Sequence, residues 1–239
     1  MKNKLIFSFL FLLCGSLFTQ AQDRYFLEAY DAFSRNKTSY FTLVDGTQLE
    51  GKIRKIKRKK WLFQSIKIKD ATGKTHRLTP KDIQYMHLPP ASWDVLEKTA
   101  DRIQDITRLL PPDRNSELLR RGYVYFEQVD AMIKNEKKTV LLQLLNPTAC
   151  SKVRVYHDPS AMQRSGLGVR DIELTGAYDN AFYFKKEGQS TAIRVKRKKY
   201  RQLFAELYDN CPAVNPSSRD VSWRDLEAHV FQFDRNCEG

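Results

Sequence analysis

The segment Thr139-Val-Leu-Leu-Gln-Leu-Leu-Asn146 constrains the fold more than any other part of the chain. Six of its eight residues are Val, Leu or Thr, and no Pro or Gly interrupts it before Pro147. Successive side chains of a strand point to opposite faces, so a sheet wetted on one side shows apolar and polar residues in alternation. This run is apolar on both faces and predicts a strand buried on two sides, at the centre of a sheet. Shorter apolar or alternating runs surround it at 123–133, 153–156, 171–174, 181–185 and 191–195. Turn formers separate them at Asn135, Asp158-Pro159, Gly166, Gly176, Asp179-Asn180 and Gly188, spaced as hairpin turns would be. The expectation is a large, mostly antiparallel sheet over 123–195.

A second set of strands precedes it. Phe41-Thr-Leu-Val44 has period two, Asp45-Gly46 supplies a tight turn, and 48–53 returns antiparallel. Residues 65–69 and 75–78 form another hairpin across Ala71-Thr-Gly73, and 83–88 closes the set. Five short strands within about fifty residues predict a small, strongly curved barrel. The pattern Leu43-x-Asp45-Gly46-x-x-Leu49-x-Gly51-x-Ile53 resembles the first strand pair of Sm-like and related SH3-like barrels, where glycine lets a strand bend sharply. That resemblance implies an SH3-like barrel here. It does not imply RNA binding: Lys57-Arg-Lys-Lys60 and Thr79-Pro-Lys-Asp82 stand where Sm-like proteins carry their RNA-reading motifs.

Helical periodicity appears in four places. Phe26, Ala29, Tyr30 and Phe33 would share one face of a short helix over 25–33. After Pro89-Pro90, Ser92 can cap a helix over 93–110 whose Trp93, Leu96, Ala100, Ile103 and Leu110 form a buried stripe, ended by Pro111-Pro112. A turn or two follows at 116–121. Near the carboxyl end, Tyr200, Leu203, Phe204 and Leu207 make one apolar face, and Leu226, Val230 and Phe233 make another. The fold class expected is β-rich α+β. Residues 22–89 hold the short helix and small barrel, 90–122 a helical linker, and 123–239 the larger sheet with two carboxyl-terminal helices.

The first 21 residues read as a signal peptide. Lys2 and Lys4 precede an apolar run from Leu5 to Leu13, and Thr19 and Ala21 are the small residues that direct cleavage after Ala21. The run falls short of the roughly 20 apolar residues that span a bilayer. Leu13 stands where a lipoprotein signal carries a small residue, which disfavours lipid attachment at Cys14. Cleavage leaves about 218 residues, one large domain or two small ones. The formal charge of +13 falls only to about +11. An oxidising compartment allows a disulfide. Cys211 ends one amphipathic helix and Cys237 the next, so these two are the expected pair and Cys150 the free thiol. The order Tyr183, Lys185-Lys186, Tyr200, Phe204, Leu207, Cys211-Pro212, Trp223 and Cys237 is similar to carboxyl-terminal parts of exported proteins of Bacteroidetes-type bacteria. That resemblance implies a compartment, periplasmic or extracellular, and no activity.

Chemistry-bearing motifs are sparse. Cys150 and His157-Asp158 could supply a Cys-His nucleophile, or Asp158-Pro159 could simply be a turn beside a small buried Cys. His76, His87 and His229 are scattered, without His-Glu-x-x-His or Cys-x-x-Cys spacing, so neither a metal site nor a cofactor is expected. Gly166-x-Gly168 is too short for a dinucleotide loop, and there is no Gly-x-Ser-x-Gly. Two basic runs remain: Lys55, Lys57, Arg58, Lys59 and Lys60 beside Trp61, and Arg194, Lys196, Arg197, Lys198, Lys199 and Arg201. Either they recruit anions or they are solvated ends of a hairpin and a helix. The expected function is a noncatalytic envelope binding or scaffold protein. Its partner would be anionic lipid, lipopolysaccharide, an acidic polymer or another envelope protein. An exported hydrolase with residues scattered in sequence is the alternative, and the signal peptide opposes nucleic acid.

Overall fold

The structure, a computed structural model, describes residues 25–91, 103–161, 180–209, 211–214 and 221–237. The signal and its cleavage site, the expected helix before 103, the expected strand at 171–174 and the turns at Gly166 and Gly176 lie outside the described residues.

The chain is β-rich, with two antiparallel sheets and carboxyl-terminal helices. The first sheet comprises β1 (Thr38–Leu43), β2 (Gln48–Lys59), β3 (Leu62–Lys69), β4 (Thr75–Leu78), β5 (Ile83–Leu88), β6 (Val124–Ile133) and β7 (Glu136–Gln143). Its spatial order is β4-β3-β2-β1-β5-β6-β7. The second sheet has the order β10-β9-β8, from β8 (Val153–His157), β9 (Ala181–Lys186) and β10 (Ile193–Lys196). Three helices of the described residues matter to the argument: α1 (Arg114–Arg120), α2 (Tyr200–Leu207) and α3 (Leu226–Asn236).

The expected closed barrel is not formed among the described residues. Val124–Glu127 of β6 pair with Leu88–Tyr85, so the β5 edge that would have to meet β4 is already occupied. One sheet instead continues from β1 to β7. Within it, β2 runs six residues beyond the expected end at Ile53, bent by register shifts at Ile53/Lys55 and Lys57/Arg58. Gly51 permits that course: a Cβ there would lie 2.7 Å from the Lys69 carbonyl oxygen.

The apolar segment at 139–146 is buried on two sides, as its composition requires, but it is not a central strand. Its first half is β7, the last strand of the seven. Two-sided burial comes from packing: Leu141 joins the core under β1–β6, whereas Val140, Leu142 and Leu144 join a second core with Tyr156, Tyr183 and Ala192. Leu145 reaches a third core, under α2 and α3, with Phe182, Tyr200, Trp223 and Phe233. The sheets meet where Leu145 N–H donates to Val155 O at 2.9 Å and Met132 N–H donates to Ala192 O at 2.9 Å.

Residues 25–33 are not helical. They form no regular element beyond an isolated bridge between Phe33 and Pro90, with Phe26 in the core of the helices and Phe33 in that of the first sheet. Their backbone bonds go to tertiary partners instead of to each other: Leu27 N–H donates to Leu145 O at 2.7 Å and Tyr30 N–H to Gln143 Oε1 at 3.0 Å. The carboxyl-terminal helices follow the expected stripes, with Tyr200, Phe204 and Leu207 buried on α2 and Leu226, Val230 and Phe233 on α3. Cys211 and Cys237 are disulfide-bonded, Cα atoms 5.9 Å apart, and Cys150 is free. Closing that loop is worth roughly 3 kcal/mol through the unfolded state.

Candidate functional site

Strand register gathers the basic residues that sequence order scatters. Lys55 of β2 stands opposite Lys67 of β3, and Lys67 opposite Arg77 of β4. Lys52 faces Lys69 one step away. Cross-strand partners share a face of the sheet, so these side chains and Lys57 form one exposed surface, while Ile53, Ile66, Ile68 and Leu78 turn into the core. The nearest acids are engaged elsewhere. Asp45 accepts from Thr47 N–H at 2.9 Å, Glu50 pairs with Arg114, and Asp82 accepts from Thr79 N–H at 2.7 Å. Asp70 pairs with His76 at 2.7 Å, and chiefly that bond, with Thr72 helping, holds its carboxyl down to about 2. Among the described residues, no acid lies within ion-pair distance of Lys52, Lys55, Lys57, Lys67, Lys69 or Arg77.

Arg58 leaves this surface. Its guanidinium stands 4.8 Å above the Phe63 ring and 5.7 Å from that of Phe33, and its half-buried position lowers its pKa through desolvation. It packs against the core.

Lys59, Lys60 and Trp61 belong to a different place, a cleft between two hairpin tips. The β2–β3 turn has Lys60 and Trp61 at φ 51° and 71°, and the β6–β7 turn has Lys134 and Asn135 at φ 53° and 64°. Positive φ at both central residues gives the twist that two-residue hairpins need, and it ordinarily selects Asn-Gly. Lys and Trp in the left-handed region each cost roughly 1–2 kcal/mol. The cleft has a volume of about 770 Å³. Lys59, Lys60 and Lys134 lie at its basic side, and Leu62, Ile133, Val140 and Tyr183 supply its apolar wall. The neighbouring Lys134 lowers the Lys60 pKa, with desolvation and the charges of Lys59 and Lys138 adding to it. Two other cations of the cleft are partly neutralised. Lys138 pairs with Glu136 at 2.6 Å, and Arg194 donates to the buried Asp158 at 2.5 Å and to Ser160 Oγ at 3.1 Å.

The second basic run is split by the fold. Arg194 enters the wall of the cleft, whereas Lys196, Arg197, Lys198 and Lys199 are exposed where β10 turns into α2, with Lys199 Nζ donating to Gln202 Oε1 at 2.9 Å. Arg201 is exposed on α2. Lys134 and Lys138 of the cleft, and Lys67 and Arg77 of the outer face, lie outside both runs. The alternation Ile66-Lys67-Ile68-Lys69 is the one sequence signal that puts two of the missed lysines on a single face.

Cys150 and His157 do not make a nucleophile pair. Burial raises the Cys150 thiol pKa, and its charged neighbours are Arg154, Asp234 and Glu127; an activated thiol requires the opposite shift. His157 is buried, its Nε2 has no hydrogen-bond partner, and desolvation lowers its pKa against the charges of Asp31 and Asp158. Asp158-Pro159 is a turn, its carboxylate accepting from Ser160 N–H at 2.9 Å. Glu127 accepts from Arg154 at 2.7 Å, from Tyr156 OH at 2.6 Å and from Tyr125 OH at 3.3 Å, which ties β6 to β8. Among the described residues, no three His, Cys, Asp or Glu side chains gather as metal donors, and no helix is long and apolar enough to cross a membrane. No protein-family model matches this chain, and comparisons with curated proteins and with solved structures give no match.

Proposed function

We propose that this is an exported, noncatalytic envelope protein that binds anionic surfaces through the outer face of β2, β3 and β4. The single observation that carries this reading is the row Lys55, Lys67 and Arg77, held in register without an acid within ion-pair distance among the described residues. Like charges placed directly opposite cost stability in a sheet, so a row of them is expensive unless a partner supplies the counter-charge. A polyanion or anionic lipid does so over many contacts at once, while long-range attraction steers it to the face. Export is supported by Lys2, Lys4, the apolar run after them and Ala21, and by the Cys211–Cys237 disulfide, which persists in oxidising compartments. The strand order β4-β3-β2-β1-β5 is what supports an SH3-like reading of the first five strands, with β6 and β7 added beyond β5.

The test is retention on vesicles containing an anionic phospholipid, at about 0.1 M and about 1 M salt, where the Debye length falls from about 10 Å to about 3 Å. The wild type is expected to bind at the lower salt and release at the higher. A variant carrying Lys55→Gln, Lys57→Gln, Lys67→Gln and Arg77→Gln is expected to stay unbound at both. Equal retention of the two proteins, or retention indifferent to salt, would overturn the reading.

A further inference from the structure

We propose that the cleft between the β2–β3 and β6–β7 tips is a second binding site, for a phosphorylated sugar. It is separate from the outer face, because its Lys59, Lys60 and Lys134 come from hairpin ends and not from the row across the strands. Two features of its geometry require a ligand of high charge density. Lys59, Lys60 and Lys134 line one cavity with no acid in ion-pair reach among the described residues, and the charge of Lys134 is near enough to lower the pKa of Lys60. A carboxylate brings one charge to such a gap. A phosphate monoester brings nearly two, with three acceptor oxygens, and so satisfies all three donors together.

The remainder of the cavity is unlike a simple anion trap. A bare phosphate occupies a small part of about 770 Å³, a volume in the range of organic-ligand pockets. Leu62, Ile133, Val140 and Tyr183 line the cavity together with the lysines, as does Trp61, 41% exposed. Aromatic faces beside a polar rim suit a pyranose ring, whose C–H faces are apolar and whose edges carry hydroxyls. Arg194, turned toward Asp158, and the exposed amide of Gln64 are left to meet those hydroxyls. Lys60 and Trp61 both keep left-handed backbone conformations that neither residue favours, and both line the cleft.

A phosphorylated sugar can arrive free or as the headgroup of a glycolipid, and two probes separate the sources. Full-length mature protein is titrated by calorimetry with glucose 1-phosphate, inorganic phosphate and glucose, and is also mixed with vesicles carrying a bisphosphorylated glucosamine lipid in a neutral phospholipid. The expected result is binding of glucose 1-phosphate or of the glycolipid vesicles. Inorganic phosphate should bind at least tenfold more weakly than the sugar phosphate, and glucose not at all. Lys60→Gln with Lys134→Gln should lower the affinity at least tenfold, and Trp61→Ala should reduce sugar-phosphate affinity to that of phosphate. Lys55→Gln with Lys67→Gln should leave the calorimetric affinity for glucose 1-phosphate unchanged while weakening any vesicle binding that the outer face supplies, so failure here is distinguishable from failure at that face. The proposal is overturned if neither probe binds, if inorganic phosphate binds as tightly as the sugar phosphate, or if binding survives the Lys60/Lys134 change in a protein of unaltered melting temperature.

Discussion

The outer face of β2–β4 and the surface around the second sheet are both rich in Lys and Arg, yet only the second pairs part of those charges with acids. Three cations of the second sheet are matched, Arg154 by Glu127, Arg194 by Asp158 and Lys186 by Asp209, while Lys196, Arg197 and Lys198 stand exposed at the end of β10. Acids there also take backbone donors, Glu227 receiving Tyr25 and Phe26 N–H and Asp234 receiving Lys152 N–H. On the first sheet Lys55, Lys67 and Arg77 stand in line without a match among the described residues. The count of positive residues therefore says little about where a counter-charge would bind. Pairing is what separates a structural cation from an available one.

Buried histidines sharpen the contrast and give the largest expected effect. His229, under α2, has Tyr200 OH at 2.8 Å from its Nδ1, whereas His87 on β5 is almost fully buried with no partner for Nε2. Burial, with the Arg114 charge opposing protonation and Asp113 weakly favouring it, lowers the His87 pKa from 6.5 to about 4. The unfolded chain binds this proton first, so His87 adds nothing to acid sensitivity above about pH 6.5. Stability is lost as pH falls from there to about 4, by about 3 kcal/mol at most, and no further loss from this group follows below. Unfolding free energies of the wild type and His87→Phe across that range should diverge, the variant having the flatter profile. A slope unchanged by the substitution would assign the acid sensitivity to His157 and His229, whose pKa values are lowered in the same direction, and would erase the difference between the regions.

Glu127→Ala tests the matched side. It leaves Tyr156 OH buried without its acceptor and Arg154, 43% exposed, without its counter-ion. Solvent reaches the guanidinium, so the cost is set mainly by the stranded hydroxyl, about 2 kcal/mol in chemical denaturation. Loss of less than about 0.5 kcal/mol would mean that the pairing around β8 is incidental. The smallest change has the opposite sign. Lys67→Gln removes the middle charge of the row, which faces both Lys55 and Arg77, and should raise stability by about 0.2–1 kcal/mol at low salt, with the gain disappearing at high salt. A destabilised Lys67→Gln would show that the row is neutralised from within the protein.

Composition alone identified the 139–146 segment as buried on two sides, because a run in which polar residues do not alternate with apolar ones has no wet face to offer. Its place at the end of a sheet was hidden, since a strand covered by a second sheet has the same composition as one in the centre. The helix stripes of 200–207 and 226–233 were legible for a similar reason: each buries a single face. Residues 25–33 misled by the same periodicity. Phe26 and Phe33 are buried in different cores, and an irregular chain reaches both where one helix face would not. The length of β2 was masked by its lysines, as only Ile53 and Ile56 mark its inner face beyond Gly51. The cleft was legible only in part: Lys59, Lys60, Trp61 and Arg194 stood in the basic runs, but Lys134 and Lys138 reach them through tertiary packing.

The division of β7 among several cores has a consequence for how the molecule assembles. Leu141 completes the interior of the first sheet, and its immediate neighbours Val140 and Leu142 complete the layer shared with the second. A slip of one residue in the β6–β7 hairpin would exchange these sets, so the whole chain depends on a register fixed by the two-residue turn at Lys134-Asn135. As the chain grows from its amino terminus, Phe33 and Phe63 lack their edge contacts with Phe126 until β6 is made. Apolar surface exposed over that interval favours aggregation.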